Sequence, residues 1–179
     1  MPLWISERSR DGGVDEVPLP DVPGRLWLCG KHAIGPDVAA LLARTGADTV
    51  VCLNEAHELA DRYPGYVEWL GSSPQARWVP VPDLHAPPVP VAGALVDEVV
   101  DRLAGGAGVV VHCGAGMGRA GTLAAAVLLA LGLDLDGALR TVATARPGAG
   151  PERGVQQELL EALVRRSAGS GRPPRTAPG

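Results

Sequence analysis

The stretch GVVVHCGAGMGR, residues 108–119, decides the fold of this 179-residue chain. Its β-branched start predicts a buried strand, its glycines predict a tight turn, and the apolar residues 120–130 that follow predict a buried helix. In such a turn, successive backbone N–H groups can point into one hollow, and the first helical turn adds unpaired donors. The stretch therefore predicts a loop that binds an anion of phosphate size.

Two side chains of this loop can add chemistry to anion binding. Cys113 would face amide donors and a cation, a setting that favours the thiolate near neutral pH. Arg119 can present its planar fork to two phosphate oxygens at once. Such a set suits nucleophilic attack on phosphorus. The residues expected to contact the substrate through this loop are Gly114, Ala115, Gly116, Met117 and Gly118.

The pattern His-Cys-x5-Arg-x-Gly-Thr resembles the signature of the cysteine-dependent protein tyrosine and dual-specificity phosphatases. The resemblance implies that Cys113 becomes a phosphocysteine, that Arg119 holds the phosphoryl oxygens and that a separate aspartate protonates the leaving group. It implies supporting roles for Thr122 and for His112, which we expect to hydrogen-bond the loop backbone. The chain departs from the family at Ala120, where a serine or threonine usually helps to release the phosphoenzyme.

Two other functions fit parts of the same loop. Residues 116–121 satisfy the dinucleotide fingerprint G-x-G-x-x-G, but that motif needs an acidic residue about 20 positions later in another βα unit. Asp134 and Asp136 are instead predicted to begin a helix. The second alternative is a module that binds a phosphorylated ligand without turnover, and Ala120 is its only support.

Asp83 is the candidate general acid. It follows a strand predicted over residues 77–82, begins a proline-rich loop, and is separated from the cysteine strand by a helix predicted over 91–103. The acid of the phosphatases lies in such a setting, so the resemblance implies this role. We expect Asp83 to be protonated with substrate bound, because the phosphate dianion and the thiolate disfavour a third charge nearby. It would then act as the base for the hydrolytic water.

The C-terminal part offers two further candidates. A helix predicted over 138–146 ends at Pro147, and a final amphipathic helix is predicted from residue 151 onward. This segment also resembles the family, in some members of which a glutamine positions the hydrolytic water. Gln156 or Gln157 could take that role, and the spacing does not decide between them. A plain exposed helix glutamine is the simpler interpretation of either residue.

The remaining pattern predicts a single α/β domain with a mainly parallel, four- to five-stranded sheet flanked by helices on both faces. We expect residues 1–24 to be an N-terminal surface segment, 25–166 to be the phosphatase domain and 167–179 to be a disordered tail. The predicted strands cover residues 25–29, 49–53, 77–82 and 108–112.

The composition of the chain limits the classes of partner that it can bind. A net charge of −4 disfavours nucleic acid and anionic membranes, and no apolar run is long enough for a signal peptide or a membrane span. Cys29, Cys52 and Cys113 form no disulfide framework, which favours the reducing cytoplasm. Residues 54–59 contain two glutamates and a histidine, but no second cluster completes a metal site, so we interpret them as the polar start of a helix.

These patterns predict a cytoplasmic, monomeric phosphatase that needs no metal and no cofactor. Its substrate would be a phosphorylated protein or a small phosphomonoester, with phosphotyrosine first and phosphoserine or phosphothreonine as alternatives. Ala115 and Met117 add no positive charge to the loop, which disfavours a polyphosphorylated inositol lipid.

Overall fold

A five-stranded sheet organises residues 10–170, the part of the chain that the computed structural model describes. Its strands are β1 (Val14–Val17), β2 (Arg25–Gly30), β3 (Thr49–Cys52), β4 (Ala76–Trp78) and β5 (Gly108–Cys113). Their order is β1-β2-β5-β3-β4, and all neighbours run parallel except β1, which is antiparallel to β2. The predicted mainly parallel sheet is confirmed.

Helices cover both faces of the sheet, as expected. They are α1 (Lys31–Ile34), α2 (Val38–Thr45), α3 (Pro64–Ser72), α4 (Val89–Ala104), α5 (Gly118–Ala130), α6 (Leu135–Ala145) and α7 (Val155–Ser170), with a 3₁₀ turn at Ala56–Glu58. The two ends of α2 have clear causes. The Asp37 carboxylate accepts a hydrogen bond from the Ala40 N–H at its start, and Gly46, with φ of 71°, ends it in the left-handed region.

Strand β5 contributes to both hydrophobic cores because its side chains alternate between the two faces. Val109 and Val111 belong to the core beneath α4, α5, α6 and α7. Val110 belongs to the core on the opposite face, which α1, α2 and α3 complete. The strand therefore ends deep inside the molecule, and the loop that follows it has a rigid base.

Two parts of the chain differ here from the sequence-based expectation. The N-terminal segment supplies the edge strand β1, and Val17 in it is only 1% exposed, so this segment is more than a surface covering. The strand expected over 77–82 ends at Trp78, because Pro80 and Pro82 lack the N–H that a ladder requires. The N–H groups of Val79 and Val81, on either side of Pro80, still donate to the end of β3 and to the residue after it: Val79 to Cys52 O at 2.9 Å and Val81 to Leu53 O at 3.0 Å.

The last helix also differs at both ends. It begins at Val155 rather than near residue 151, after Gly154, which has a φ of 96°. It continues to Ser170, so residues 167–170, which we expected to be disordered, are helical. The rest of the predicted tail, residues 171–179, lies outside the described residues. No helix within residues 10–170 has the length and apolar character that crossing a membrane requires.

Candidate active site

A cleft lies at the carboxyl ends of β2 and β5, the edge at which open α/β sheets bind ligands. Residues 113–119, which we call the cysteine loop, connect β5 to α5 and form its base. Lys31 at the start of α1, Glu58 in the 3₁₀ turn and Asp83 in the loop after β4 also line this cleft. The structure therefore brings the three predicted catalytic residues Cys113, Arg119 and Asp83 to one place.

The backbone of the cysteine loop has free hydrogen-bond donors. No N–H of residues 114–118 donates to another group within residues 10–170. Gly116 permits the curl of the loop, because its φ is 72° and a Cβ there would lie 2.3 Å from Cys29 O. Five unpaired donors around one turn are an arrangement that can bind an anion of phosphate size.

Only one of the three cysteines reaches the cleft. Cys113 is 2% exposed and lines the base of the cleft. Cys29 and Cys52 are fully buried in the core, and burial raises the pKa of each thiol to about 12. These two thiols remain protonated, whereas Cys113 lies beside the free amides and Arg119. All three are free thiols.

The Glu58 carboxylate and the Val81 carbonyl hold the side chain of Arg119 in place. Its Nη1 donates to Glu58 Oε2 at 2.8 Å and to Val81 O at 2.7 Å, and its Nη2 donates to Glu58 Oε1 at 2.7 Å. The Nη2 atom also lies 3.4 Å from the position of a Cβ on Gly114, next to the cysteine loop. The Glu58 carboxylate occupies the Nη1–Nη2 edge, so the Nε–Nη2 edge remains for two oxygens of an anion.

Glu58 is one residue of this site that our interpretation missed, because we read residues 54–59 as an ordinary helix start. Burial alone would raise the pKa of Glu58, but hydrogen bonds from Arg119 and the Glu55 backbone lower it to about 2. Asn54 Nδ2 adds a hydrogen bond to Glu58 Oε1 at 3.0 Å. The sequence feature that could have identified Glu58 as a site residue is its position just after a buried parallel strand, at the ligand-binding edge of the sheet.

Asp83 lies at the mouth of the cleft. Its side chain is 75% exposed, and its Oδ1 is 3.5 Å from Arg119 Nη2. The next residue, Leu84, has a φ of 63°, which is uncommon for a residue with a side chain, and is 60% exposed at the cleft rim. The Asp83 Oδ1 atom also accepts a hydrogen bond from the Leu84 N–H at 3.0 Å, so the carboxyl group lies at the cleft mouth near the Arg119 guanidinium.

His112 is buried beneath the loop and has a stronger partner than the backbone contact we expected. Its Nε2 lies 2.6 Å from Tyr66 Oη, whereas its Nδ1 lies 3.5 Å from Cys113 O. Burial is the main cause that lowers the pKa of His112, to about 4. The neutral ring can accept from the Tyr66 hydroxyl, which gives Tyr66 a buried role that the sequence did not define.

The two candidate glutamines differ. Gln156 is 1% exposed and lines the cleft, contrary to the simple exposed residue we considered, whereas Gln157 is exposed. Gln156 Oε1 accepts from the Glu152 N–H at 2.7 Å and from Thr122 Oγ1 at 3.2 Å, and its Nε2 donates to His85 O at 3.1 Å. Gln156 therefore joins α7 to α5 and to the loop that carries Asp83.

Arg146 also contacts the cysteine loop. It is 1% exposed, and its Nη2 donates to Ala115 O at 2.8 Å. Its Nη1 donates to Asp15 Oδ2 at 2.8 Å and to Gly13 O at 3.0 Å. The N-terminal strand and the cysteine loop therefore share one buried cation.

Two further observations concern the alternatives. Within residues 10–170 no group of three or more His, Cys, Asp or Glu side chains could hold a metal ion. Asp134 accepts a hydrogen bond from the Gly137 N–H at 2.7 Å and is the N-cap of α6, so it serves a helix start rather than a ribose. Ala120 is fully buried and brings no hydroxyl to the loop.

The fold and the cysteine loop define a class of protein, the tyrosine and dual-specificity phosphatases. Residues 22–175 match a family described as PTP-SAK: Swiss Army Knife protein, DSP-PTPase phosphatase domain. The chain belongs to this family. None of the curated proteins matched the chain.

Solved structures of phosphatases are similar in fold to this chain. Tk-PTP in its active form is 30% identical over 85% of this chain and 97% of that chain, with a TM-score of 0.65. Human DUSP28 is 22% identical over 86% of this chain and 95% of that chain, with a TM-score of 0.65. Kinase associated phosphatase, with its catalytic-site cysteine replaced by serine, is 18% identical over 89% and 96%, with a TM-score of 0.70. The last two show the fold alone.

Proposed function

We propose that this chain is a metal-independent phosphatase that hydrolyses phosphomonoesters through a phosphocysteine. The observation that supports the proposal most strongly is the set of unpaired N–H groups of residues 114–118 around Cys113, beside the free edge of Arg119. Donors already in place for a developing phosphoryl charge need no rearrangement during the reaction. Membership of a phosphatase family supports the same activity.

In the first step the Cys113 thiolate attacks phosphorus. The S–P bond forms while the ester P–O bond breaks, and Asp83 gives its proton to the leaving oxygen. The exposed position of Asp83 above the loop, 3.5 Å from Arg119 Nη2, supports this role. Arg119 and the loop amides hold the three non-bridging oxygens.

In the second step water attacks the phosphocysteine. The Asp83 carboxylate accepts a proton from the water, a new P–O bond forms, and the S–P bond breaks to return the thiolate and inorganic phosphate. Gln156 lines the cleft, so it is our candidate for orienting this water, while Gln157 is not among the residues that line it. The absence of a hydroxyl at Ala120 makes this second step the slower one.

We infer that phosphotyrosine is the preferred protein substrate, with phosphoserine and phosphothreonine as weaker ones. The exposed Leu84 beside Asp83 offers an apolar surface to an aromatic leaving group. The three free thiols fit a reducing compartment, so we place the protein in the cytoplasm and propose that it acts as a monomer.

The test is hydrolysis of para-nitrophenyl phosphate by the purified protein in the presence of EDTA. We expect turnover that vanadate inhibits, that Cys113→Ser abolishes and that Asp83→Asn lowers by about 10²–10⁴-fold in kcat. If the wild type binds phosphate or vanadate but shows no turnover between about pH 5 and 8, the chain is a phosphate-binding module and the proposal is wrong.

A further inference from the structure

Lys31 is the only lysine of the chain, and it lies in the cleft. Its backbone N–H donates to Gly114 O at 3.0 Å, so the cysteine loop fixes its main chain. Its Nζ donates to Glu58 O at 2.9 Å, which holds the ammonium group on the same side of the cleft as the carboxylate that binds Arg119. Lys31 is thus hydrogen-bonded to the site through both its backbone and its side chain.

The charge of Lys31 has no carboxylate partner within residues 10–170. Arg119 and Arg146, the two arginines that contact the cysteine loop, are paired with Glu58 and Asp15, while Arg10 also lines the cleft. An ammonium group has three donors, and Lys31 uses one of them for a carbonyl. Two donors and a full positive charge therefore remain available on a half-buried side chain that borders the cleft.

The cleft around Lys31 holds charges of both signs. Burial lowers the pKa of the neighbouring His32, and Arg62 and Lys31 lower it further. Two of the acids that line the cleft have contacts elsewhere: Asp83 Oδ1 is 3.5 Å from Arg119 Nη2, and Asp11 Oδ1 accepts from the Gly13 N–H at 2.8 Å. Glu152 lies in the wall near Gly118.

We propose that Lys31 binds a second anionic group of the substrate, so that the enzyme prefers phosphomonoesters with a carboxylate or a second phosphate close to the phosphoryl group. The inference rests on the proposed function, because the cysteine loop must hold the phosphoryl group that is hydrolysed. The second group would take the free Nζ donors of Lys31 while the first occupies the loop amides. Glu58 then orients both cations, Arg119 through its carboxylate and Lys31 through its carbonyl.

The experiment compares substrates that differ only in one charge. One arm uses 4-carboxyphenyl phosphate against 4-carbamoylphenyl phosphate, and the other uses phosphotyrosine peptides with Asp or Asn next to the phosphotyrosine. Two arms separate a small-molecule source of the second anion from a peptide source. The variants are Lys31→Gln and Lys31→Arg, with Arg140→Gln on α6 as a control that changes net charge equally at an exposed position.

We expect the wild type to favour the charged member of at least one pair by about two- to fivefold in kcat/KM, the effect of one ion pair. Lys31→Gln should reduce that ratio to about one, while Lys31→Arg and Arg140→Gln keep it. Because each ratio is taken within one variant, general damage to the loop cancels. High salt should lower the wild-type ratio.

A wild-type ratio of about one in both arms, or an equal ratio in Lys31→Gln, would overturn the inference and leave the proposed phosphatase activity intact. Failure of the wild type to hydrolyse any of the four substrates would instead contradict the proposed function itself.

Discussion

The arginine of the cysteine loop is positioned by one carboxylate. Glu58 binds Arg119 through two hydrogen bonds of 2.8 and 2.7 Å, and the Arg119 side chain is only 4% exposed. The paired charges hold the Nε–Nη2 edge toward the loop. The local sequence pattern could not reveal the pair of Glu58 and Arg119, because the two residues lie 61 positions apart in the sequence.

Glu58→Gln keeps the shape of this side chain but removes its charge. We expect kcat/KM for para-nitrophenyl phosphate to fall by about 10- to 100-fold, because a charge-assisted hydrogen bond contributes about 1.5–3 kcal/mol. Vanadate affinity should fall in parallel. Glu68→Gln, an exposed position on α3, is the control. Equal kinetics in the two variants would show that Glu58 does not position Arg119.

His112 makes folding stability depend on pH. Its pKa is lowered to about 4 in the folded protein, whereas an ordinary histidine titrates near 6.5. Between these values the unfolded chain binds a proton that the folded chain does not, so the free energy of unfolding falls as the pH is lowered from about 6.5 to 4. The loss should be on the order of 3 kcal/mol.

Urea unfolding at a series of pH values tests this dependence. The wild type should lose more stability over that interval than His112→Gln, in which the titrating ring is absent. The ring protons of His112 in the folded wild type should titrate well below pH 6 by NMR. An ordinary titration of this ring would contradict the buried, neutral state beside Tyr66.

At the scale of elements, α7 holds the acid loop in place. Gln156 connects the loop backbone at His85 to Thr122 on α5, so one amide spans three segments. Gln156→Ala should lower kcat more than it raises KM, because the position of Asp83 matters most in the transition state. Gln157→Ala, the exposed neighbour, should behave as the wild type. Identical kinetics for both variants would show that Gln156 does not position the acid loop.

The elements themselves were largely predictable from periodicity. The strands near 25–29, 49–53 and 108–112 and the helices between them have apolar patterns long enough to indicate their type. The short edge strand β1 was missed, because its VDEV sequence pairs with only one neighbour and carries little periodic signal. Proline chemistry accounts for the early end of β4.

At the scale of the whole molecule, a buried ion pair joins the two ends of the fold. Arg146 and Asp15 lie 131 positions apart and meet at 2.8 Å next to the cysteine loop. No local pattern reveals such a contact, and we read Arg146 only as the end of a helix. The helix boundary was visible in the sequence, whereas the partner depends on how the complete chain packs.

Asp15→Ala should destabilise the protein by about 3–5 kcal/mol, because it leaves the Arg146 charge buried without its partner. Vanadate affinity should also fall, since Arg146 holds Ala115 O. The matched control is Glu16→Ala on the same strand, whose pair with Arg25 is exposed and screened by solvent and therefore contributes little to stability. Urea unfolding measures the stability of both variants. Equal unfolding midpoints for Asp15→Ala and Glu16→Ala would contradict the coupling between Asp15 and Arg146.

The central claim is that Cys113 carries the phosphoryl group between two displacement steps. Acid quench of the wild type during turnover of para-nitrophenyl phosphate, followed by peptide mass spectrometry, tests it most directly. We predict one phosphoryl group on the peptide that contains Cys113, formed and lost at rates compatible with kcat, and none in Cys113→Ser. Turnover with no phosphorylated enzyme at any time, or with the phosphoryl group on another residue, would contradict the account.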